Sequence, residues 1–348
     1  MKKLRTEQEI MQAWKGDPTQ PLVSVCCITY NHEPYIEDTL EGFLIQETDF
    51  PFEILIHDDA STDKTADIIR EYETAYPNLI KPIYQIENQY SKGNRPGLIN
   101  TKRAKGKYIA LCEGDDYWID PHKMQKQVDF LEAKPEYGLV HSEGNFHYTE
   151  NGKVVNNFFR QIGRSPNEIT DPYEAILRSE YPVNTCSTMY RACLYENINF
   201  NSAPRFKMGD SLLWLELARQ SKFYFFDEAM VTRHILVESA AHSKNNKKMM
   251  EFKESGYELC KYFIAKYGCT SETEAIVHEK FNRVILSYAF KVNDKEKAIN
   301  AFDTLKKSTS KPLTVRDRLQ KLGTDNFVLR PLAIGLIFFL RGYKKLTK

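Results

Sequence analysis

The feature that most constrains the fold is a pair of short apolar runs, each of which ends abruptly in acidic residues. Glu53–His57 leads into Asp58-Asp59, and Tyr108–Cys112 leads into the segment Glu113–Asp116. Short runs rich in β-branched and aromatic residues are typical of buried strands. Adjacent carboxylates cannot continue such a strand into an apolar core. Both acidic clusters are therefore predicted to lie in loops at strand ends.

The rest of the first half alternates between strand and helix patterns. Further strands are predicted at Leu22–Thr29 and Ile80–Gln85, and helices at Tyr35–Gln46 and Thr65–Tyr76. Asp120-Pro121 is a typical start of another helix. Strands that alternate with helices favour an α/β fold, with a Rossmann-like, mostly parallel sheet and helices on both faces. In such sheets ligands bind at the carboxyl ends of the strands, where both acidic loops fall.

Composition narrows the possible partners. The 348 residues include 48 Lys plus Arg and 47 Asp plus Glu, so the net charge is +1 and no global field favours nucleic acid. Seven cysteines, with neither a C-x-x-C pair nor a cluster with histidines, disfavour a disulfide framework and a zinc site. The first 20 residues are charged and polar and contain no apolar core. No signal peptide is therefore expected, and the cytoplasm is the default compartment.

Three carboxylates lie close together in the loop after the second apolar run. Glu113, Asp115 and Asp116 would create a dense negative site, which is costly unless a cation occupies it. Mg²⁺ and Mn²⁺ suit oxygen ligands and typically take one or two carboxylates, with substrate phosphates and water completing the coordination. A solvated acidic turn is the alternative interpretation. The second acidic loop favours a site, although Asp58 or Asp59 could instead cap the following helix.

Three segments, in this order and at this spacing, resemble the family 2 inverting glycosyltransferases of the GT-A fold. They are Val23–Asn31, Ile56–Thr65, and Ala104–Ile109 with the following Glu113–Asp116. The resemblance implies a bacterial enzyme of cell-surface polysaccharide assembly. Such an enzyme transfers a sugar from a nucleotide sugar, with UDP as the expected nucleotide, to a hydroxyl of a saccharide or glycolipid acceptor. Mn²⁺ or Mg²⁺ is the implied cofactor.

The resemblance also implies which residues bind the nucleotide sugar. The expected nucleotide pocket is formed by the residues that follow the first two strands, namely Thr29, Tyr30, Asn31, Asp58 and Asp59. Within it, Thr29 and Tyr30 would line the base and ribose, and Asp59 would accept a hydrogen bond from the nucleobase imide.

By the same resemblance, Asp115 and Asp116 are the metal and diphosphate motif, with Asp116 the expected direct ligand. Family members commonly place a basic residue before the metal strand and a histidine or arginine after the base. Arg95, Arg233 and His234 are therefore further candidates for diphosphate or metal contacts, and His234 is assigned to the metal.

The second half matches the family less closely. Asn184–Arg191 resembles the acceptor-side strand, and Met208–Trp214 resembles the segment that holds the catalytic base. Gly209 stands where many relatives carry an acid, which leaves Asp210 as the implied base; alternatively Asp210 caps a helix that begins at Ser211. A single base fits inversion, because retention by double displacement needs a second carboxylate as the nucleophile.

These patterns predict the following domain limits. Residues 1–20 form an N-terminal extension, and residues 21–240 form the GT-A domain. Its nucleotide-binding half spans about 21–140 and its acceptor half about 141–240. The segment from about Lys244 to Lys307 is rich in helix formers, and residues 241–348 are predicted to be a helical C-terminal region.

An apolar run of ten residues, Pro331–Leu340, lies between Arg330 and Arg341 near the C-terminus. A membrane-spanning helix needs about twenty such residues, so this run cannot span a bilayer. Two interpretations remain open. The run is either a terminal helix docked on the protein or part of a basic-rimmed segment, residues 327–348, that gives a peripheral contact with the inner face of the cell membrane.

Two other classes of function remain as alternatives. A sugar-1-phosphate nucleotidyltransferase also combines a nucleotide pocket with Mg²⁺, but its glycine-rich loop is absent, because Thr29–Glu33 contains no glycine. A non-catalytic carbohydrate-binding protein would not need a metal and diphosphate loop together with a lone aspartate. A dehydrogenase and a P-loop enzyme are excluded, because the sequence contains neither G-x-G-x-x-G nor G-x-x-x-x-G-K.

Overall fold

The computed structural model describes residues 4–200, 203–239, 243–307, 312–326 and 328–346, with side chains described as far as residue 340. The chain forms two compact units that interleave along the sequence. The first unit comprises the described residues within Met1–Pro172, Tyr181–Ala203 and Glu216–Leu236. The second comprises those within Tyr173–Glu180, Pro204–Leu215 and Val237–Lys348. The domain limits given above stay a prediction, because a compact unit is not by itself an independently folding domain.

The first unit is built on a sheet that has nine strands among the described residues. The strands are β1 (Val23–Thr29), β2 (Phe52–Asp58), β3 (Ile80–Tyr84), β4 (Tyr108–Glu113), β5 (Tyr117–Trp118), β6 (Tyr137–Tyr148), β7 (Lys153–Val155), β8 (Met189–Arg191) and β9 (Lys222–Ile235). Their order is β3-β2-β1-β4-β8-β6-β9-β5, and β7 pairs with β6. The four strands predicted in the first half are confirmed.

The helices, in chain order, are α1 (Glu7–Met11), α2 (Ile36–Leu44), α3 (Thr65–Ala75), α4 (Pro96–Thr101), α5 (Lys123–Ala133), α6 (Phe158–Gln161), α7 (Pro172–Leu177), α8 (Ala192–Glu196), α9 (Gly209–Ala218), α10 (Asn246–Tyr267), α11 (Ser271–Val292), α12 (Lys295–Lys307), α13 (Val315–Asp325) and α14 (Arg330–Leu346). The helices predicted at Tyr35–Gln46 and Thr65–Tyr76 correspond to α2 and α3. The start predicted at Asp120-Pro121 is wrong, because α5 begins at Lys123. Asp120 instead closes a turn before the helix, where its Oδ1 accepts the His122 N–H at 2.9 Å.

The parallel part of the sheet centres on β1, which pairs in parallel with both β2 and β4. Thr29 lies opposite Asp58 in one ladder, and Ile28 lies opposite Glu113 in the other. The buried residues of β1 and β2 are mostly apolar, as expected for strands covered on both sides. The register therefore brings the carboxyl ends of all three strands, and the loops that follow them, to one edge of the sheet.

The other part of the sheet is mostly antiparallel. The ladders β4–β8, β6–β8, β6–β7 and β5–β9 are antiparallel, and only β6–β9 is parallel. The sequence predicted a mostly parallel sheet, and the antiparallel pairing in this part differs from that prediction. The difference arises because these strands give little periodic signal in the sequence. The segment Asn184–Arg191 is an example: Thr185–Ser187 forms a 3₁₀ turn, and only Met189–Arg191 is a strand.

Asn100 and Arg103 hold the parallel strands together near their ends. The Asn100 amide donates to the carbonyls of Cys27 in β1 and Leu55 in β2, at 3.0 and 2.7 Å. The Arg103 guanidinium donates to the carbonyls of Ile56 and Lys81, at 2.9 and 2.6 Å. These bonds tie α4 and Arg103, just after it, to β1, β2 and β3, and they help to fix the edge at which the acidic loops lie.

The N-terminal residues that are described also pack on the first unit. Thr6 and Glu9 form a capping box at the start of α1, and Ile10 is buried. The Arg5 guanidinium donates to the Gln46 carbonyl at 2.6 Å, and the Tyr76 hydroxyl donates to the Arg5 carbonyl at 2.9 Å. Residues 1–3 of the predicted extension lie outside the described residues.

The second unit is helical, which confirms the helix-rich C-terminal region predicted from the sequence. Apolar residues of α10, α11 and α12 share a core. Arg283 on α11 pairs with Asp317 on α13, and its Nε donates to Glu279 at 3.0 Å. The helices in the described part of the chain include none with the length and continuous apolar character that a membrane span requires.

Candidate active site

The two acidic loops meet at the end of β1, where consecutive carbonyls each accept a backbone hydrogen bond from one loop. The Ile28 carbonyl accepts the Gly114 N–H, and the Thr29 carbonyl accepts the Asp59 N–H, both at 2.9 Å. The loop after β4 and the loop after β2 are thereby held on either side of the same strand end. This position is the one expected for ligand binding in an α/β sheet.

The residues after β1 are joined to the loop after β2 by a second set of hydrogen bonds. The Asn31 side-chain oxygen accepts the Thr62 N–H at 2.8 Å, and the Asn31 N–H donates to the Ser61 hydroxyl at 2.9 Å. The His32 N–H donates to the Thr65 hydroxyl at 2.8 Å. Asn31 has a φ of 56°, a left-handed conformation that asparagine tolerates better than most residues. The loops after β1 and β2 therefore form one wall, beside which the Tyr30 side chain is exposed.

Asp58 and Asp59 are both buried in this wall. Asp58 accepts a hydrogen bond from the Ser61 hydroxyl, while burial raises the pKa of its carboxyl. The Asp59 carboxylate accepts the N–H groups of Gln89 and Tyr90, at 2.7 and 3.0 Å. Asp59 thus fixes the loop that follows β3, and its contact with a nucleobase stays a prediction.

The alternative in which Asp58 or Asp59 caps α3 is wrong. Lys64 is the residue before that helix, and its own side chain forms no capping hydrogen bond. Asp63 instead accepts the Thr65 N–H at 3.0 Å. The burial of Asp58 and Asp59 therefore serves the loop wall and not a helix terminus.

Asp116 is the most deeply buried acid of the loop after β4, with 4% of its surface exposed. Its Oδ1 accepts the His234 backbone N–H at 2.8 Å. Burial raises the pKa of Asp116 well above its usual range, and the carboxylates of Asp115 and Glu113 raise it further. The positive charge of Arg233 opposes this rise. The ionised form of Asp116 is thus held in surroundings that disfavour it unless a further cation is present.

His234 lies directly against this loop. Its Nδ1 is 2.5 Å from the Asp115 carbonyl, so Nδ1 carries the proton and Nε2 keeps its lone pair. Three aromatic rings surround the imidazole: Tyr35 at 4.9 Å, His147 at 5.0 Å and Tyr117 at 5.7 Å between centroids. A histidine that donates one nitrogen to a carbonyl is oriented as metal-binding histidines usually are.

These residues fit a divalent cation that is bound jointly with a phosphate. No three His, Cys, Asp or Glu side chains within the described part of the chain form a preformed metal cluster. Mg²⁺ and Mn²⁺ at phosphate sites need only one or two protein carboxylates, because the substrate and water supply the other ligands. Asp116 and the Nε2 of His234 would be suitable ligands, and a cation there would offset the cost of ionising Asp116.

Gly114, in the loop after β4, lies close to the residues at the end of β1. A Cβ at this position would be 2.6 Å from the Thr29 hydroxyl oxygen and 3.0 Å from His32 Nδ1. Neither of these two buried atoms has a hydrogen-bond partner in the part of the chain that the structure describes. Thr29 and His32 therefore place these two polar atoms at the junction where the end of β1 meets the loop after β4. Such atoms are available to bind a nucleotide.

Several side chains of this site were missed in the sequence analysis. His32 follows the predicted motif residues directly and could have been included with them. His147 could not, because it reaches His234 only through the β6–β9 ladder, in which these two residues are opposite each other. Thr39 lies on α2, and its hydroxyl is 2.7 Å from the Asp116 carbonyl.

The other predicted residues are placed as follows. Arg95 immediately precedes α4, and its guanidinium is 3.4 Å from the Phe200 carbonyl.

Asp210 belongs to the second unit, where it is exposed and its Oδ1 accepts the Ser211 N–H at 2.7 Å. Because α9 begins at Gly209, Asp210 lies within the first turn, and the alternative in which it caps a helix beginning at Ser211 is wrong. The catalytic role of Asp210 and the diphosphate contact of Arg95 stay predictions.

Comparison of the sequence with known proteins identifies the family to which this chain belongs. Residues 24–187 match the profile of Glycosyl transferase family 2. The chain is 36% identical over 199 residues to the UDP-Glc:alpha-D-GlcNAc-diphosphoundecaprenol beta-1,3-glucosyltransferase WfaP of Escherichia coli, covering 56% of this chain and 70% of that protein. It is 31% identical over 216 residues to the putative glycosyltransferase EpsE of Bacillus subtilis, covering 60% and 72%.

A shorter match is to an uncharacterized protein of Mycobacterium tuberculosis, 48% identical over 114 residues. This match covers 33% of the chain and 32% of the mycobacterial protein. The chain therefore spans about a third of the length of the mycobacterial relatives.

Solved structures confirm the α/β class and the GT-A fold. Staphylococcus aureus TarS 1–349 in complex with UDP-GlcNAc superposes with a TM-score of 0.57 at 19% identity, covering 82% of this chain and 81% of that one. The mannosyltransferase PcManGT from Pyrobaculum calidifontis, in complex with GDP-Man and Mn²⁺, gives a TM-score of 0.53 at 17% identity, covering 97% and 89%.

We predict that Gly114→Ala weakens nucleoside diphosphate binding by more than about tenfold, because the added methyl group would displace Thr29 and the loop after β4. Calorimetric titration with UDP measures this effect. Gly97→Ala is the matched control, since a Cβ at Gly97 meets no atom within 4 Å. Equal affinities of the two variants would show that the close approach at Gly114 does not matter for the site.

Proposed function

Because the chain belongs to glycosyl transferase family 2 and is a glycosyltransferase, we propose that it is a metal-dependent, inverting enzyme. It transfers a sugar from a nucleotide sugar, with UDP as the expected nucleotide, to a hydroxyl of a saccharide or lipid-linked saccharide. The observation that carries this proposal is the pair of acidic loops bonded to the last two carbonyls of β1.

The choice of donor is supported by two relatives. WfaP is named as a UDP-glucose enzyme, and the TarS structure contains UDP-GlcNAc. PcManGT contains GDP-Man, so GDP is the natural competitor in any binding test. Thr29, Tyr30 and Asn31 would contact the nucleoside from the end of β1, together with the wall that contains Asp58 and Asp59. His32 is added to this set because its Nδ1 faces the same junction.

Mn²⁺ or Mg²⁺, held by Asp116 with His234 and the Asp115 segment, would neutralise the negative charge of the diphosphate leaving group. The protein groups then have separate tasks. The loop after β4 orients the diphosphate, and Arg95 or Arg233 would add positive charge near it. The buried surroundings of Asp116 exclude water, which strengthens these electrostatic interactions.

Asp210 is the proposed general base. It accepts the proton of the acceptor hydroxyl while that oxygen attacks the anomeric carbon from the face opposite the diphosphate. The bond between the anomeric carbon and the diphosphate oxygen breaks in the same step, so the configuration inverts. An exposed carboxylate in the first turn of α9 is accessible to a large acceptor.

We further propose a role in cell-surface polysaccharide assembly, in the cytoplasm and with peripheral contact at the inner face of the membrane. The support comes from WfaP, whose name gives a diphosphoundecaprenol-linked acceptor, and from TuaG of Bacillus subtilis. TuaG, a putative teichuronic acid biosynthesis glycosyltransferase, is 38% identical over 121 residues. A lipid-linked acceptor would require the enzyme to work at a membrane surface.

We predict that Asp116→Asn abolishes the increase in UDP affinity caused by Mn²⁺. The amide can still accept the His234 N–H but is a much weaker metal ligand, so affinity with Mn²⁺ should fall by at least about 10–100-fold. Titration calorimetry with UDP and with GDP, each with and without Mn²⁺, measures the effect. Asp129→Asn, an exposed position on α5, is the control. An Asp116 variant that keeps its Mn²⁺-dependent affinity would refute the assignment.

The role of Asp210 is kinetic, and its variant should therefore separate turnover from binding. We predict that Asp210→Asn lowers the transfer rate by about 10²–10⁴-fold, the usual contribution of a general base, with unchanged donor affinity. Asp303→Asn, exposed on α12, should behave like the wild type. Transfer rates are measured with a donor and acceptor pair found by screening. A variant that retains more than about a tenth of the rate would place the base elsewhere.

A further inference from the structure

Helix α14 presents apolar side chains to solvent over most of its circumference. Phe338 and Phe339 are 66% and 70% exposed, and Leu332 is 61% exposed. Ile334 and Leu336 are also exposed, so that five large apolar side chains are exposed within eight residues. Single exposed apolar residues are normal on a protein surface, whereas a contiguous group marks an interaction site.

The remaining narrow face of α14 is nevertheless packed against the protein. Ala333 and Ile337 are buried. Gly323 on α13 permits this contact, because a Cβ there would be 3.0 Å from the Ala333 Cβ. The Arg330 guanidinium donates to the Phe290 carbonyl at 2.7 Å. Docking and exposure therefore coexist in α14, and the two interpretations of this segment do not exclude each other.

The charge of the segment indicates what covers the exposed face. Residues 328–348 contain five basic residues and no acidic one, whereas the whole chain has a net charge of only +1. A second copy docked through the same face would bring two such segments together, which like charges oppose. Anionic lipid headgroups are complementary to basic residues, and the acyl boundary accommodates exposed phenylalanine and leucine. Residues 327, 347 and 348 lie outside the described residues.

We propose that α14 lies in the interface of an anionic membrane, with Leu332, Phe338 and Phe339 inserted and its axis parallel to the bilayer. The 17 residues of α14 span about 25 Å at 1.5 Å per residue, and in this orientation the helix need not cross the bilayer. The choice of a membrane over other acidic surfaces rests on the proposed lipid-linked acceptor. The binding itself does not require catalysis, so it can be tested separately.

The test is flotation of the full chain with vesicles of phosphatidylglycerol and phosphatidylcholine, compared with phosphatidylcholine alone. The wild type should bind the anionic vesicles and be released by salt. The double variant Phe338→Ser, Phe339→Ser should bind at least about tenfold more weakly, because it loses the largest apolar area of the face. The matched control, Ile86→Ser with Val154→Ser, removes two other exposed apolar side chains, from the first unit, and should bind like the wild type.

A second measurement reports insertion directly. The fluorescence of Phe338→Trp should shift to shorter wavelength on anionic vesicles and be quenched by brominated lipid. Equal vesicle binding by the double variant and the control would overturn the proposal. So would a dimer in light scattering that only the double variant disrupts. UDP binding by the same proteins distinguishes the two proposals, since loss of vesicle binding alone leaves the proposed donor site intact.

Discussion

The site depends on hydrogen bonds at the end of β1. The carbonyls of Ile28 and Thr29 accept N–H groups from Gly114 and Asp59, so one strand end fixes the position of two loops that are distant in sequence. A central strand such as β1 cannot shift its register by one residue without turning its buried side chains to the opposite face. The loops therefore inherit the rigidity of the core, and the side chains they carry need little reorganisation to bind a ligand.

The same arrangement buries acidic groups, which is unfavourable for the chain alone. Asp116 has a raised pKa for this reason. Such groups are common at functional sites, because a cation or a phosphate supplies the charge that the fold lacks. In the proposed function, the donor diphosphate and its cation provide that compensation. The aromatic rings around His234 limit its mobility while leaving one nitrogen to act as a ligand.

The sequence predicted the parallel strands and both acidic loops, because buried strands interrupted by carboxylates have few alternative explanations. The resemblance suggested a strand within Asn184–Arg191, but its short extent and its antiparallel pairing were not predicted, because Met189–Arg191 is too short to show a period and its position depends on tertiary pairing. Nor did it show that Asp59 holds the backbone of Gln89 and Tyr90, because such contacts depend on loop geometry. The sequence also could not decide whether α14 is exposed, because ten apolar residues suit a docked helix and a membrane contact equally well.

The central claim is that a cation and a diphosphate bind together at the end of β1. Anomalous diffraction from crystals grown with UDP and Mn²⁺ tests it most directly. The account predicts a manganese peak about 2.0–2.3 Å from an Asp116 oxygen, in contact with the diphosphate, the range typical of divalent cations with oxygen ligands. A nucleotide bound at the end of β1 without any metal at Asp116, or a manganese ion bound elsewhere, would contradict it.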